Sequence, residues 1–266
     1  MAGEYKHVVL VGIDGAGNFY RKTDAPAIRR LFAEGAGTDY CLTSIPTISA
    51  ECWGSMLIGV YPETHGLTND IVSRLPYTDA EHPTVFRMIR DARPDAEIGA
   101  FSNWSPILSG IVERDAGVHL DTGEDPGITR RVCEYIREKK PTFVFVQFDS
   151  IDGAGHTFGY GSEKYLKELT VADGYVGAIR SAVEEAGIAD DTLFIATADH
   201  GGFGQNHGGV TDEEKYVFFA AVGKTVAPGT RIDLEVKDIP AVVTRALGVP
   251  GSPSWDSKLP DGLFTK

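Results

Sequence analysis

The chain has 266 residues, 42% hydrophobic and 10% aromatic, enough for one sizeable core, so we expect a single domain over residues 1–266. Its formal net charge of −13, from 38 acidic and 25 basic residues, argues against a dedicated nucleic-acid partner because no Lys/Arg cluster is long enough to follow a phosphate backbone. No apolar run approaches the ~20 residues that cross a bilayer and no signal-peptide pattern is present, so we expect a cytoplasmic protein without a membrane partner.

Predicted strands and helices alternate along the chain. The first run, His7 to Asp14, is β-rich and ends in an aspartate followed by turn glycines. Apolar runs predict further strands at Ile98–Ser102, Thr142–Phe148, Thr192–Ala198 and Tyr216–Val222. Amphipathic patterns predict helices at Ala25–Gly35, Ala50–Ile58, Asp125–Lys140, Ser162–Ala186 and Lys237–Leu247. Such alternation predicts an α/β fold with a mostly parallel central sheet that is flanked by helices on both faces.

Three aspartates follow apolar strands of this predicted sheet. Asp14, Asp149 and Asp199 each come directly after such a run. In open α/β sheets, ligands bind in the crevice at the carboxyl ends of the strands. We therefore expect three carboxylates from distant parts of the sequence to meet at one edge.

Two short segments, residues 152–156 and 199–209, carry five candidate metal ligands. Asp152 and His156 lie in DGAGH, Asp199 and His200 lie in DHGG, and His207 opens HGG. A lone histidine is usually structural, but aspartate and imidazole together are ordinary ligands of zinc or manganese. We interpret these segments as glycine-rich turns, in which the backbone can come close to an ion.

Ser49 ends the sequence PTIS and precedes a predicted helix. A serine in this position commonly caps the helix. Helix N-termini also favour bound or developing anions, which suits a nucleophilic serine. The two interpretations do not exclude each other.

The order of these motifs resembles that of bacterial nucleotide pyrophosphatase/phosphodiesterases of the alkaline phosphatase superfamily. The resemblance runs from about residue 7 to residue 222 and includes PTIS, GVYPETHG, DGAGH, ADHGG and HGG. It implies a three-layer alkaline-phosphatase-like fold. It also implies a two-metal hydrolase of small phosphate esters, most readily a phosphodiesterase, with a covalent phosphoserine intermediate on Ser49.

The resemblance also implies a role for each matching residue. Asp152, His156 and His207 would hold one divalent metal ion. The other ion would be held by Asp14, Ser49, Asp199 and His200. Zinc is the usual ion, with manganese or iron as alternatives. Asn69 matches an asparagine that donates to a nonbridging phosphate oxygen.

Some features depart from the family pattern. Glu51, Cys52 and Trp53 stand where family members usually carry Pro-Asn-His, so substrate contacts there do not transfer. Cys52 is interpreted as a small buried hydrophobe. Asp149 precedes Asp152 by three residues and competes with it as a ligand, although the four-residue spacing to His156 favours Asp152. We expect Asp149 to help position the metal ligands without binding an ion itself.

Other functions remain open at this stage. A phosphomonoesterase needs an arginine beside the nucleophile, and no arginine lies within twenty residues after Ser49. Arg21, Arg29, Arg30 or Arg74 can still fold over the site. A sulfatase is disfavoured because residues 49–53 lack the proline and arginine of its signature. A dinucleotide-binding protein is disfavoured because the early glycines read GxxGxG. A catalytically silent metal protein is disfavoured because every expected ligand and nucleophile position is filled. Four aromatic residues could stack on a base or fill the core: Trp53, Trp104, Phe158 and Tyr160.

Overall fold

One eight-stranded sheet runs through the centre of the protein in a computed structural model that describes residues 4–265. The strand order is β4-β3-β5-β1-β6-β7-β2-β8. The strands are β1 (His7–Ile13), β2 (Ala36–Leu42), β3 (Ile98–Ser102), β4 (His119–Thr122), β5 (Phe143–Phe148), β6 (Thr192–Ala198), β7 (Tyr216–Val222) and β8 (Thr230–Arg231). Only β7 runs antiparallel to its neighbours, β6 and β2, in this described part of the chain. The expectation of a mostly parallel sheet is confirmed.

Helices cover both faces of the sheet. They are α1 (Pro26–Glu34), α2 (Ser49–Ile58), α3 (Pro62–His65), α4 (Asn69–Arg74), α5 (Val85–Ala92), α6 (Pro106–Gly110), α7 (Asp125–Lys139), α8 (Ser150–Phe158), α9 (Glu163–Glu185), α10 (Asp212–Lys215) and α11 (Ile239–Leu247). Phe145 packs against Trp53 of α2, whereas Phe148 packs against Tyr175 of α9. Because side chains three apart in a strand point to opposite faces, α2 and α9 lie in different layers. None of the helices within residues 4–265 is long and apolar enough to cross a bilayer.

The predicted elements agree with the observed ones to within two residues at each end, and three strands and six helices are additional within residues 4–265. β2, β4 and β8 were not predicted, because AGTDYCL and HLDT mix polar and apolar residues without a clear period and β8 has two residues. The prediction that DGAGH forms a turn is wrong, because Asp152 and His156 lie in helix α8. The i, i+4 spacing of a helix places both side chains on one face.

The buried centre of the sheet fixes the position of the site. The last six residues of β1 and all of β5 and β6 are buried. Their carboxyl ends lie side by side, because Ile13 is in register with both Phe148 and Ala198. Asp14, Asp149 and Asp199 follow these three residues, so the predicted convergence of carboxylates is observed.

Candidate metal centre and nucleophile

Two groups of potential metal ligands lie at this edge of the sheet. Each contributes three ligand atoms within 4.8 Å of one another. The partly exposed group, which we call group one, contains Asp152, His156 and His207. The buried group, group two, contains Asp14, Asp199 and His200. The structure thus brings together the side chains that the resemblance assigns to two separate ions.

Group one is aligned by hydrogen bonds to the backbone. The His156 Nε2 atom lies 3.2 Å from Asp152 Oδ2 and 3.1 Å from His207 Nε2. The His156 Nδ1 atom lies 2.8 Å from the Gln205 carbonyl oxygen, and the His207 Nδ1 atom lies 2.7 Å from the Thr47 carbonyl oxygen. Since a carbonyl oxygen only accepts, both Nδ1 atoms carry the proton, and both Nε2 atoms keep a free lone pair for a cation.

Group two leaves two carboxylate oxygens without a partner. The Asp14 Oδ1 and Asp199 Oδ2 atoms are buried and have no hydrogen bond, and they lie 3.5 and 3.3 Å from His200 Nε2. Burying such oxygens unpaired is costly. A divalent cation at this point would neutralise both, so the residues fit a metal ion.

The remaining oxygens of group two are fully engaged. Asp14 Oδ2 accepts from Trp53 Nε1 at 2.9 Å and from Gln147 Nε2 at 3.0 Å. Asp199 Oδ1 accepts from the backbone N–H groups of Gly15 and His200 at 3.1 and 2.8 Å. Each carboxylate therefore has one oxygen fixed by the protein and one that faces the centre of the group.

Electrostatics in group two follow from burial. Burial, and then the charge of Asp199, raises the pKa of Asp14 well above its usual range. Burial, and then the charge of Asp152, does the same to the pKa of Asp199. Burial also lowers the pKa of His200 to about 3, which keeps this imidazole neutral, as a metal ligand must be.

Gln147 is a residue that sequence reasoning missed. Its amide is buried in β5, and its Oε1 accepts from the Ser102 hydroxyl and the Trp104 backbone N–H. Its Nε2 donates to Asp14 at 3.0 Å and to Asp149 at 3.1 Å. A polar residue within the apolar run Phe143–Phe148 was the available signal, because such a residue needs partners when it is buried.

Asp149 lies outside both groups. It accepts from Gln147, and burial, followed by the neighbouring charge of Asp152, raises its pKa to about 6. Asp152 is the carboxylate that meets His156 and His207. The ambiguity between the two aspartates is therefore resolved geometrically in favour of Asp152.

The Ser49 hydroxyl is not used to cap helix α2. The helix begins at Ser49 itself, and its N-cap residue, Ile48, makes no side-chain cap. The Ser49 Oγ atom lies 3.2 Å from His200 Nε2 and is buried. The hydroxyl thus faces group two at a helix N-terminus, where negative charge is stabilised.

Asn69 performs the capping that Ser49 does not. Its Oδ1 atom accepts from the backbone N–H of Ala50 at 2.9 Å. This contact fixes the amide plane directly beside Ser49. Asn69 is exposed, so the two N–H bonds of its Nδ2 atom remain available to a ligand.

Thr47, the other hydroxyl before the helix, is committed to structure. Its Oγ1 donates to the Gly209 carbonyl at 3.0 Å and accepts from the Gly208 N–H at 2.9 Å. The residue is fully buried. The geometry therefore favours Ser49 as the nucleophile.

Two of the four aromatic residues named above cannot form an open stacking surface. Trp53 is fully buried beneath β1. Tyr160 is partly buried and bonds Asp152, and burial raises the pKa of its hydroxyl far above the usual value. Phe158 is 45% exposed, with Lys164 Nζ 4.2 Å from its ring centroid, and Trp104 is half-buried.

The glycines after β1 allow close packing. Gly15 adopts a φ of +66°, which other residues rarely adopt, and a Cβ atom there would lie 2.5 Å from Asp152 Oδ1. Gly12 makes room for the Trp53 ring. Both glycines are explained by contacts around the site without a dinucleotide.

The fold is alkaline-phosphatase-like, and it carries two groups of potential metal ligands at the carboxyl edge of the sheet. The sequence matches the profile described as type I phosphodiesterase / nucleotide pyrophosphatase over residues 8–88 and 96–237. The chain belongs to this family, and the resemblance noted from the sequence is confirmed.

Curated relatives are similar over most of the chain. The mouse protein ectonucleotide pyrophosphatase/phosphodiesterase family member 7 is 23% identical over 216 residues, which are 73% of this chain and 49% of the relative. GPI ethanolamine phosphate transferase 2 of Aspergillus fumigatus is 24% identical over 225 residues, which are 79% of this chain and 29% of the relative. The chain thus spans about half the length, or less, of these two relatives.

Solved structures share the fold. Murine ectonucleotide pyrophosphatase/phosphodiesterase 5, in an inactive form in complex with AMP, superposes with a TM-score of 0.78 at 11% identity, covering 95% of this chain and 97% of that one. A 2-O GAG sulfatase superposes with a TM-score of 0.77 at 12% identity, covering 96% and 73%. At these identities the comparison establishes the architecture alone.

Proposed function

We propose that this protein is a two-metal hydrolase of phosphoric diesters that acts through a covalent phosphoserine on Ser49. The observation that carries the proposal is the Ser49 hydroxyl, which lies 3.2 Å from His200 Nε2 and makes no cap to its own helix. The hydroxyl faces group two, and the two ligand groups together contain three aspartates and three histidines, which are residue types suited to divalent ions.

The bound ions, Ser49 and Asn69 would each have a different task in the reaction. Two divalent ions, once bound, would lower the pKa of the serine hydroxyl and neutralise charge on the reacting phosphate. Ser49 forms the new bond to phosphorus while the bond to the leaving alcohol breaks, and water then cleaves the phosphoserine. Asn69 donates its free N–H bonds to a nonbridging oxygen.

Zinc is the ion we propose for both groups. Group one offers two imidazoles and one carboxylate, and group two offers one imidazole, two carboxylates and the Ser49 hydroxyl. This nitrogen and oxygen mixture suits zinc, and it also accommodates manganese or iron. Metal analysis after growth without added metal distinguishes them.

A diester is favoured over a monoester by the positions of the arginines. Arg29 donates to backbone carbonyls at residues 20, 21 and 23. Arg21, Arg30 and Arg74 each pair with a carboxylate: Asp39, Glu34 and Asp70, respectively. These four candidates are therefore occupied elsewhere, whereas a dianionic monoester needs a guanidinium beside the nucleophile.

A substrate panel tests the proposal. The zinc-loaded protein is assayed with bis-p-nitrophenyl phosphate, a p-nitrophenyl ester of a nucleotide, p-nitrophenyl phosphate and p-nitrophenyl sulfate. We expect the diesters to be cleaved with the highest kcat/KM. The AMP in the murine structure makes the nucleotide ester the better of the two. A higher kcat/KM for the monoester or the sulfate would overturn the proposal, and product formation that requires an added alcohol would identify a transferase.

A further inference from the structure

We propose that Tyr160 is the positioning residue for group one, because its hydroxyl orients Asp152 while its ring separates the two segments that carry the ligands. The inference rests on the metal-binding role proposed above. It assigns a task to a residue that the motifs do not contain, since Tyr160 lies four residues beyond His156.

The two carboxylate oxygens of Asp152 have different partners, because the Tyr160 hydroxyl contacts only one of them. Tyr160 Oη donates to Oδ1, whereas Oδ2 lies 3.2 Å from His156 Nε2. One oxygen is therefore fixed by the protein and the other is directed at the centre of the group. The same division is made at Asp14 by Trp53 and Gln147. A hydroxyl that donates to one oxygen also favours binding of the ion through the other alone.

The ring is seated between two glycines of the ligand-bearing segments. A Cβ atom added at Gly155, next to His156, would lie 2.5 Å from the Tyr160 ring. A Cβ atom added at Gly202, two residues after His200, would also lie 2.5 Å from it. Neither position tolerates a side chain while the ring is present. The ring therefore sets the spacing between α8 and the segment that leads to His207.

The backbone of Tyr160 is anchored to the same segment. Its N–H donates to the Gly204 carbonyl at 2.8 Å, and the adjacent Gln205 carbonyl meets His156 Nδ1 at 2.8 Å. The ring centroid lies 5.9 Å from that of His156 and 6.4 Å from that of His207, close to perpendicular in both cases. Tyr160 thus contacts all three members of group one.

A simple packing role makes a different prediction. If Tyr160 only fills space, removing its hydroxyl lowers stability and leaves the affinity for metal unchanged. If it positions Asp152, the same change weakens one metal site and spares the other. Metal affinity therefore separates the two roles without reference to turnover.

The test is a zinc titration of metal-free protein against a chelating dye. Tyr160→Phe is compared with wild type and with Tyr135→Phe, a matched control in which the lost hydroxyl donates to Glu97 at 2.8 Å before the amino end of β3, away from the site. His207→Ala identifies which of the two binding steps belongs to group one. We expect Tyr160→Phe to weaken that step by ~10-fold or more and to leave the other unchanged, while Tyr135→Phe changes neither.

Two outcomes overturn different statements. Wild-type affinity at both steps in folded Tyr160→Phe overturns the positioning role alone. Failure of the wild-type chain to bind two zinc ions overturns the proposed function before any variant is compared.

Gly202→Ala tests the seating of the ring independently. The added methyl group displaces the ring, so we expect the same loss at the group-one step. In a Tyr160→Ala background the clash is absent, and Gly202→Ala should then cost nothing further. An equal loss in both backgrounds would show that Gly202 acts without the ring and would overturn this part of the inference.

Discussion

The His156 and His207 side chains face each other through Nε2 atoms 3.1 Å apart, although the residues are 51 positions apart in the chain. The Nδ1 atom of each ring donates a hydrogen bond to a backbone carbonyl oxygen. Two lone pairs at this distance repel unless a positive charge lies between or beside them. The arrangement is thus stable as a pair of metal ligands, and its stability should depend on the ion.

Zinc binding should release protons. The pKa values of Asp14 and Asp199 are raised by burial, so the metal-free protein retains these protons to a higher pH than an exposed carboxylate would. An incoming cation displaces them, and the apparent affinity for zinc therefore rises with pH. Calorimetry in two buffers with different heats of ionisation measures the number released. Identical heats would contradict the prediction, and Asp14→Asn should release fewer protons than wild type.

Ser49→Ala should lower kcat by ~10³ or more, because it removes the hydroxyl that faces group two. Group one does not include Ser49, so the variant should still bind at least one zinc ion. Mass spectrometry after an acid quench should find phosphoserine in wild type and none in the variant. Substantial remaining turnover would mean that water attacks the substrate directly, because Thr47 is fully buried.

Asn69 should act mainly on the transition state. Losing one donor to a nonbridging oxygen typically costs ~10²–10³ in kcat, so Asn69→Ala should lower kcat and kcat/KM together with little change in KM. The same change removes the cap on Ala50 and should cost about 1 kcal/mol of stability.

Asn69→Asp separates these two effects, because a carboxylate still accepts from Ala50 but cannot donate. We expect this variant to keep the melting temperature of wild type and to lose turnover. Asp70→Ala is the control, since its exposed pair with Arg74 contributes little. Normal kcat in either Asn69 variant would remove this residue from the site.

Loss of stability in acid should depend on His65. Burial lowers the pKa of this histidine from 6.5 to about 4. Its ring accepts from the Leu67 N–H and donates to the Glu51 carbonyl. Between these two pH values the unfolded chain binds a proton that the folded chain does not, so the free energy of unfolding falls as the pH falls.

The contribution should be ~3 kcal/mol between pH 6.5 and about 4. Denaturant unfolding of metal-free wild type and His65→Gln at several pH values isolates it, because glutamine does not titrate. The difference between the two free energies should change across this window. Parallel curves would show that His65 does not carry the effect.

The sequence predicted the potential metal ligands better than the residues that hydrogen-bond to them. Asp152, His156, His200 and His207 stand out because their residue types and glycine neighbours are unusual together. Trp53, by contrast, fits the apolar face of α2, and its periodicity gives no hint of the bond from its indole to Asp14. Helical spacing reports which side is buried but not what a polar atom on that side meets.

The fold was predicted where strands are long and apolar. Strands β1, β5 and β6 are continuous runs of this kind, as expected for a sheet covered on both faces. Strand β2 contains Asp39 and an exposed Tyr40 at an irregular register. Its pairing depends on contacts with β7 that lie far away in the sequence, which local patterns cannot report.

The hydrogen bonds of Thr47 connect the segment that carries Ser49 with the segment that carries His207. Its hydroxyl holds Gly208 and Gly209, and its carbonyl holds His207, while Ser49 follows only two residues later. A side chain at position 47 that cannot both donate and accept a hydrogen bond should therefore displace His207 and Ser49 together.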